Sequence, residues 1–218
     1  MANQGPELLC LKGGSAEVVE KKSRFIAQVS PVKNEEEALQ FIARIRKENR
    51  DARHNCYAYV TGPDGSIEKF SDDGEPSKTA GMPMLDLLRK RGLKNACVVV
   101  TRYFGGILLG TGGLVRAYTA ACTAGLDACV TAERKQGVLA TWTVDYGLYG
   151  KLQYLAEEEG LYPQGCDFGQ AVTLRLLMPA EKADRIIKKV REMSAGKAEP
   201  ADLEKRDYCA AGGEVILM

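Results

Sequence analysis

The chain has 218 residues, 45% hydrophobic and 27% charged, with a formal net charge of +1. That balance belongs to an ordinary globular protein and excludes a disordered chain; no apolar run approaches the roughly 20 residues that span a bilayer, and residues 1–14 lack the basic-then-apolar order of a signal peptide. Bulk charge decides nothing about nucleic acid, so any such site must be a local cluster of Lys and Arg.

The elements follow in chain order. Residues 16–19 and 24–29 read as two short strands joined around Lys21 and Lys22, the second ended by Pro31. Asn34 is a helix N-cap, and Glu35, Glu36 and Glu37 suit the positive end of the helix dipole. Ala38, Phe41, Ile42 and Ile45 then recur at helical spacing. Residues 56–61 and 67–70 are β-prone and flank Gly62-Pro63-Asp64-Gly65, a hairpin turn. A polar loop, 71–80, leads to a short helix with Pro83 in its first turn, Leu85 and Leu88 inward and Gly92 as its stop. Cys97-Val98-Val99-Val100 lies in a continuous apolar run, 96–101, the pattern of a strand buried on both faces. After a glycine-rich turn, 102–113, residues 114–130 read as an alanine-rich helix apolar on nearly all sides, hence buried.

Residues 131–136 are polar and mark a boundary between domains 1–132 and 133–218. Past it the pattern restarts: strand 138–144, helix 148–159 stopped by Gly160, strands 161–168 and 171–178, a helix opened by Pro179 through Met193, and a last strand within 203–217 that Cys209–Gly213 threatens to break. The order βαββαβ is that of a ferredoxin-like domain. The fold class is therefore α+β with two domains.

Seven scattered cysteines (Cys10, Cys56, Cys97, Cys122, Cys129, Cys166, Cys209) form no Cys-x-x-Cys pair, so neither a zinc site nor a thioredoxin-like motif is supported. They read as reduced thiols packed as small hydrophobes, in keeping with a cytoplasmic protein. His54, the only histidine, excludes a His-rich metal site within one chain.

Three segments carry candidate chemistry. In the turn 102–113, Gly105, Gly106, Gly110, Gly112 and Gly113 surround Thr111 between a strand and a helix. Glycines let backbone N–H groups face a ligand, and a helix N-terminus leaves donors free. Arg102 at the strand end and Arg116 in the first helical turn add charge, with Tyr103 beside them. No Gly-Lys-Ser/Thr follows, so this is not a P-loop. The bland reading, a close-packed turn, stays open. The second segment holds Asp72, Asp73 and Glu75, then Ser77, Lys78 and Thr79. Carboxylates this close are compatible with Mg²⁺ completed by a phosphate, or with an acidic turn whose side chains cap backbone groups. In the third, Arg53 and His54 precede Cys56. A Cys–His nucleophile pair needs a third, orienting group, and a structural histidine is the competing reading.

Arg53-His54-Asn55-Cys56-Tyr57-Ala58, Ser71-Asp72-Asp73-Gly74-Glu75-Pro76-Ser77, Thr79-Ala80-Gly81-Met82-Pro83, and Thr101-Arg102-Tyr103-Phe104-Gly105-Gly106 through Leu109-Gly110-Thr111-Gly112-Gly113-Leu114-Val115-Arg116-Ala117-Tyr118 together resemble the IMPACT family, bacterial YigZ type. The resemblance covers residues 16–130 closely; Lys78 departs from it, standing where a glycine is expected. It implies an N-terminal domain of the fold seen in a ribosomal small-subunit protein, in domain IV of elongation factor G and in GHMP kinases, followed by a ferredoxin-like domain. The eukaryotic members are translation regulators, so the resemblance implies a non-enzymatic binding protein without a cofactor. Its expected partner is RNA or a ribosome-associated protein, or else another protein partner, with no DNA specificity and no membrane. The alternative is an enzyme acting on a phosphorylated small molecule or nucleotide, with Mg²⁺, through the glycine turn and the acidic loop.

Overall fold

A computed structural model describes residues 7–62, 65–211 and 214–218. Its internal contacts divide the chain into two units, Met1–Glu133 and Arg134–Met218. Each is a mixture of helices and sheet, so the two-domain α+β architecture is observed. Among the described residues no helix is long and apolar enough to cross a membrane.

The first unit runs β1 (Leu8–Lys12), β2 (Ser15–Glu20), β3 (Ser23–Pro31), α1 (Glu35–Glu48), β4 (His54–Thr61), β5 (Ile67–Ser71), α2 (Gly81–Lys90), β6 (Leu93–Lys94), β7 (Ala96–Tyr103), α3 (Gly110–Asp127) and the start of β8 (Val130–Val144). Five strands form an antiparallel sheet in the order β2-β3-β7-β4-β5. Central β7 is buried on both faces, as its unbroken apolar run predicts. Val98 and Val100 pack with α2 and α3, while Cys97 and Val99 pack under Phe41, Ile42 and Ile45 of α1. The Asn34 side chain accepts the Glu37 N–H at 2.9 Å and fixes where α1 begins. Lys21 and Lys22 take left-handed φ values of 45° and 66° in the β2–β3 turn. Two positive-φ residues are what a tight hairpin turn needs to match strand twist. Pro63 and Asp64 of the second expected turn lie outside the described residues; Gly65 N–H still reaches the Gly62 carbonyl at 3.1 Å.

Two expectations about the alanine-rich helix need correction. The alanine-rich helix starts at Gly110, not Leu114, so Gly110, Thr111, Gly112 and Gly113 form its first turn and Arg116 lies in the second. It ends at Asp127, and Val130 belongs to a strand. Only one face of it is buried, through Leu114, Ala117, Tyr118, Ala121, Cys122, Gly125 and Leu126. Residues 131–136, the expected boundary, lie within β8. Leu9 pairs with Ala132 and Leu8 with Glu133, while β1 also lies parallel to β6.

In the second unit, β8 continues and is followed by α4 (Tyr146–Glu159), β9 (Tyr162–Phe168), β10 (Val172–Pro179), α5 (Ala180–Met193), β11 (Asp202–Ala211) and β12 (Glu214–Leu217). The strands lie in the order β9-β10-β8-β11-β12, every pair antiparallel. Two strands therefore stand where one was expected; Cys209 lies within β11, and Gly212 and Gly213 fall outside the described residues. Trp142, Leu152, Leu155, Leu174, Leu176, Ile186 and Val190 fill the core between helices and sheet. Asp145 caps α4 by accepting the Leu148 N–H, and Gly160 ends it at φ +63°.

The seven cysteines are free. Burial raises the thiol pKa of Cys97 and pushes that of Cys122 up to about 12. Both are therefore expected to resist iodoacetamide in the folded chain and to react once it is unfolded, a difference that mass spectrometry reads directly.

Candidate functional site

The register of the central sheet decides what meets what. Arg102 on β7 stands opposite Phe25 of β3 and His54 of β4. It points into the layer between sheet and α3, where charge is not tolerated without a partner. The loop 71–80 supplies one. Glu75 accepts from Arg102 Nη1 at 2.7 Å and from the Tyr118 hydroxyl of α3 at 2.9 Å. Both members of the pair are buried, Arg102 at 7% and Glu75 at 9% exposure. The Cys56 thiol donates to the Tyr118 oxygen at 3.3 Å, so a hydrogen-bond chain runs Cys56–Tyr118–Glu75–Arg102. The acidic loop and the strand leading into the glycine turn are therefore joined through a buried ion pair. Arg102 is not the rim cation that its place at a strand end suggests. Its Nε is buried without a hydrogen-bond partner among the described residues.

His54 Nδ1 lies 2.9 Å from the Asp73 carbonyl, which can only accept, so Nδ1 carries the hydrogen. Nε2 then faces Glu75, 4.0 Å away. Cys56 turns elsewhere, toward Tyr118 and the Asp72 carbonyl. Burial raises the Cys56 thiol pKa, the reverse of what a thiolate nucleophile requires. The Cys–His pair is thus not assembled.

The other two carboxylates of the loop are committed to backbone. Asp72 accepts the N–H groups of Lys78 at 2.7 Å, Ala80 at 3.0 Å and Gly81 at 2.8 Å. Ala80 offers α2 no side-chain cap; Asp72, eight residues upstream, serves as one. Asp73 accepts from the Asn55 N–H at 2.7 Å and pairs with Arg46 at 2.6 Å. Among the described residues no three His, Cys, Asp or Glu side chains gather into a metal site, and these commitments are the physical reason for this loop. Thr79 is buried and donates to the Pro76 carbonyl at 2.7 Å. Ser77 and Lys78 face outward. Lys78 has φ +61°, a conformation that suits the glycine expected there and costs a lysine roughly 1–2 kcal/mol.

The glycines divide by geometry. A Cβ on Gly105 would sit 2.0 Å from the Lys22 carbonyl carbon and 2.4 Å from the Ser23 nitrogen, so the turn is pressed against the β2–β3 hairpin. The Gly105 N–H also donates to the Ser23 hydroxyl at 3.1 Å. Gly105→Ala is expected to lower stability by about 1–3 kcal/mol by prying the hairpin off β7, read as a lower thermal midpoint by circular dichroism. A Cβ on Gly113 would lie 2.9 Å from that of Leu109. Gly106, Gly110 and Gly112 are different: a Cβ there would meet nothing within 4 Å. Gly106 and Gly110 have φ of +86° and +70°. Leu109 gives α3 no side-chain cap, and no acidic residue occupies the first turn. The start of α3 thus has N–H donors without a side-chain cap at the positive dipole end, and the Cβ directions of Gly110 and Gly112 are open.

Cations adjoin these glycines. Exposed Lys21 and Lys22 form the hairpin tip pressed on Gly105, and exposed Arg116 stands four residues beyond Gly112 on the same face of α3. Arg53 is exposed. The Tyr103 hydroxyl lies 3.0 Å from Asn49 Oδ1 and 3.1 Å from Asp51 Oδ1, either of which can accept its one hydrogen, closing off its polar end. Sequence reasoning missed Tyr118, Phe25 and Lys22. The signal for Tyr118 was present: a tyrosine on an otherwise apolar helix face must find a buried acceptor.

The sequence profile of the Impact N-terminal domain matches residues 21–126, and that of a domain of unknown function (DUF1949) matches residues 143–197. The IMPACT family member YvyE of Bacillus subtilis (strain 168) is 40% identical over 188 residues, 86% of this chain and 87% of that protein. The IMPACT family member YigZ of Escherichia coli (strain K12) is 39% identical over 193 residues, 85% of this chain and 92% of that one. A crystal structure of a hypothetical protein superposes with a TM-score of 0.56 at 36% identity, covering 90% of this chain and 97% of the other.

Proposed function

This chain belongs to the IMPACT family, and we propose that it is a non-enzymatic, cytoplasmic binding protein associated with translation that holds RNA by its phosphates at the first turn of α3. The observation that carries this reading is the N-terminus of α3, which has no side-chain cap and where Gly110 and Gly112 place no side chain and their Cβ directions are open. Backbone donors and a positive dipole end recognise phosphate without reading sequence. Lys21, Lys22 and Arg116 supply the cations that phosphate binding needs; Arg102, neutralised by Glu75, does not.

Two finer fold assignments accompany the reading. The strand order β9-β10-β8-β11 supports a ferredoxin-like second domain. The family resemblance supports a first domain like those of the ribosomal small-subunit protein and elongation factor G domain IV. The alternative of a Mg²⁺-dependent enzyme on a phosphorylated small molecule has less support, since Asp72, Asp73 and Glu75 are already engaged. No cofactor forms part of the proposal.

Fluorescence anisotropy with a labelled single-stranded RNA at several salt concentrations tests it. Each lost phosphate contact lowers the salt slope by about 0.7. Lys22→Ala with Arg116→Ala is therefore expected to flatten the slope by about 1.4 and to weaken binding most at low salt. Absence of binding by the unaltered chain at low salt would overturn the proposal.

A further inference from the structure

We propose that the RNA is bound single-stranded, with an unpaired base stacked on Phe104; this rests on the RNA reading above and names the form of its partner. The case starts in the core. Tyr118 packs edge-on against Phe25, ring centroids 5.1 Å apart at 85°. The guanidinium carbon of Arg102 lies 5.4 Å from the Phe25 ring centroid and 5.6 Å from that of Phe104. Tyr118, Phe25, Arg102 and Phe104 therefore form a continuous series of flat groups running outward from the core. The first two are fully buried, Arg102 is 7% exposed and Phe104 is 48% exposed.

The series ends at the exposed ring of Phe104. Phe104 is held from within by a guanidinium that is itself fixed at Nη1 by Glu75, so the platform is pre-organised. A cation on one face of an aromatic ring draws its π density inward, which favours another π system on the opposite face. Ile107 and Leu108, the latter 83% exposed, continue the apolar surface toward α3. The proposed phosphate-binding elements adjoin the segment that follows the ring in sequence. Lys22 backbone packs on Gly105, the next residue, and the open turn at Gly110 and Gly112 follows.

An exposed ring beside a phosphate site is of no use to a duplex, whose bases are already stacked on each other and whose accessible surface is backbone. A single strand can turn a base out onto such a ring while its phosphates follow the cationic rim. The same strand end thus supplies both halves of single-strand recognition: a charged track and a stacking platform.

The experiment compares a fluorescein-labelled single-stranded RNA of ten nucleotides with the same RNA annealed to its complement, using the full chain and three variants. Base stacking on an aromatic side chain is worth about tenfold in affinity. Phe104→Ala is expected to lose that factor for the single strand and nothing for the duplex. Phe104→Trp is expected to keep single-strand affinity and to be quenched by it but not by duplex. That signal is readable because the native Trp142 is fully buried in the second unit, and adding Trp142→Phe removes it altogether. Equal affinity of the unaltered chain for both forms, or full single-strand affinity in Phe104→Ala, overturns the inference and leaves the RNA reading standing. Binding of neither form at low salt overturns both.

Discussion

Replacing Glu75 with alanine is expected to destabilise the N-terminal unit by about 3–5 kcal/mol, because it strands the Arg102 guanidinium in a buried layer and removes the acceptor of the Tyr118 hydroxyl. Two features make the loss large. The pair is nearly inaccessible to water, so solvent cannot replace the missing carboxylate. The partners come from three separate elements, the loop 71–80, β7 and α3, so one deletion loosens all three. Apolar replacement of both charges, Arg102→Met with Glu75→Leu, is expected to be less damaging than Glu75→Ala alone, since a buried pair contributes little net stability over well-packed apolar groups. Chemical denaturation followed by far-UV circular dichroism and by tryptophan fluorescence separates the units, because Trp142 reports only on the second. The dichroism midpoint should fall further than the fluorescence midpoint. A Glu75→Ala chain as stable as the unaltered one would show that the ion pair is not buried as described.

The second expected result separates binding from stability. Gly112→Glu is expected to leave the protein as stable or more so, and to weaken RNA binding at least tenfold, about 1.4 kcal/mol. Gly112 is the third residue of α3, its φ is not left-handed, and a Cβ there meets nothing within 4 Å. Removing a helical glycine gains about 0.5–1 kcal/mol, and a carboxylate in the first turn adds roughly 0.3–1 kcal/mol through the dipole. The same carboxylate competes for the N–H groups and repels phosphate. Gly112→Ala is the control, with the gain in helix propensity and without the charge. Anisotropy and a thermal melt on the same three samples check both halves. Unchanged RNA affinity in Gly112→Glu would remove the turn from the binding surface.

Much of the fold was legible because it rests on local pattern. The apolar run 97–100 and the helical spacing of Ala38, Phe41, Ile42 and Ile45 each state a burial geometry, and both faces of β7 and one face of α1 are buried accordingly. The glycines at 110, 112 and 113 misled for a physical reason. Glycine is a poor helix former, so the helix was expected to begin after them, whereas tertiary packing of Leu114, Ala117 and Tyr118 carries the helix back through them. Residues 131–136 read as a polar boundary and not as part of a strand because charge dominates there. Their partners, β1 and β11, are remote in sequence, and no window around 131–136 contains them.

The site was legible in its parts and not in its wiring. The carboxylates of loop 71–80 were visible, but whether they bind metal or backbone depends on distances between loop, strand and helix. Asp72 reaches its three backbone donors within its own loop and at the start of α2, whereas Glu75 meets a residue 27 positions away. Arg102 illustrates the consequence: its position beside glycines suggests a surface cation, and strand register instead places it between two phenylalanines. The open Cβ directions of the glycines are likewise a property of packing, since Gly105 and Gly106 are adjacent and only one of them is crowded.

The central claim is that backbone amides at the start of α3 receive the phosphates of RNA. A titration of the ¹⁵N-labelled chain with single-stranded RNA, followed by amide chemical shifts, tests it most directly. The account predicts saturable shifts at Gly110, Thr111, Gly112 and Gly113 with the dissociation constant seen by anisotropy, and none at Gly160 or Gly196 of the second unit. Binding that leaves those four amides unmoved would contradict it.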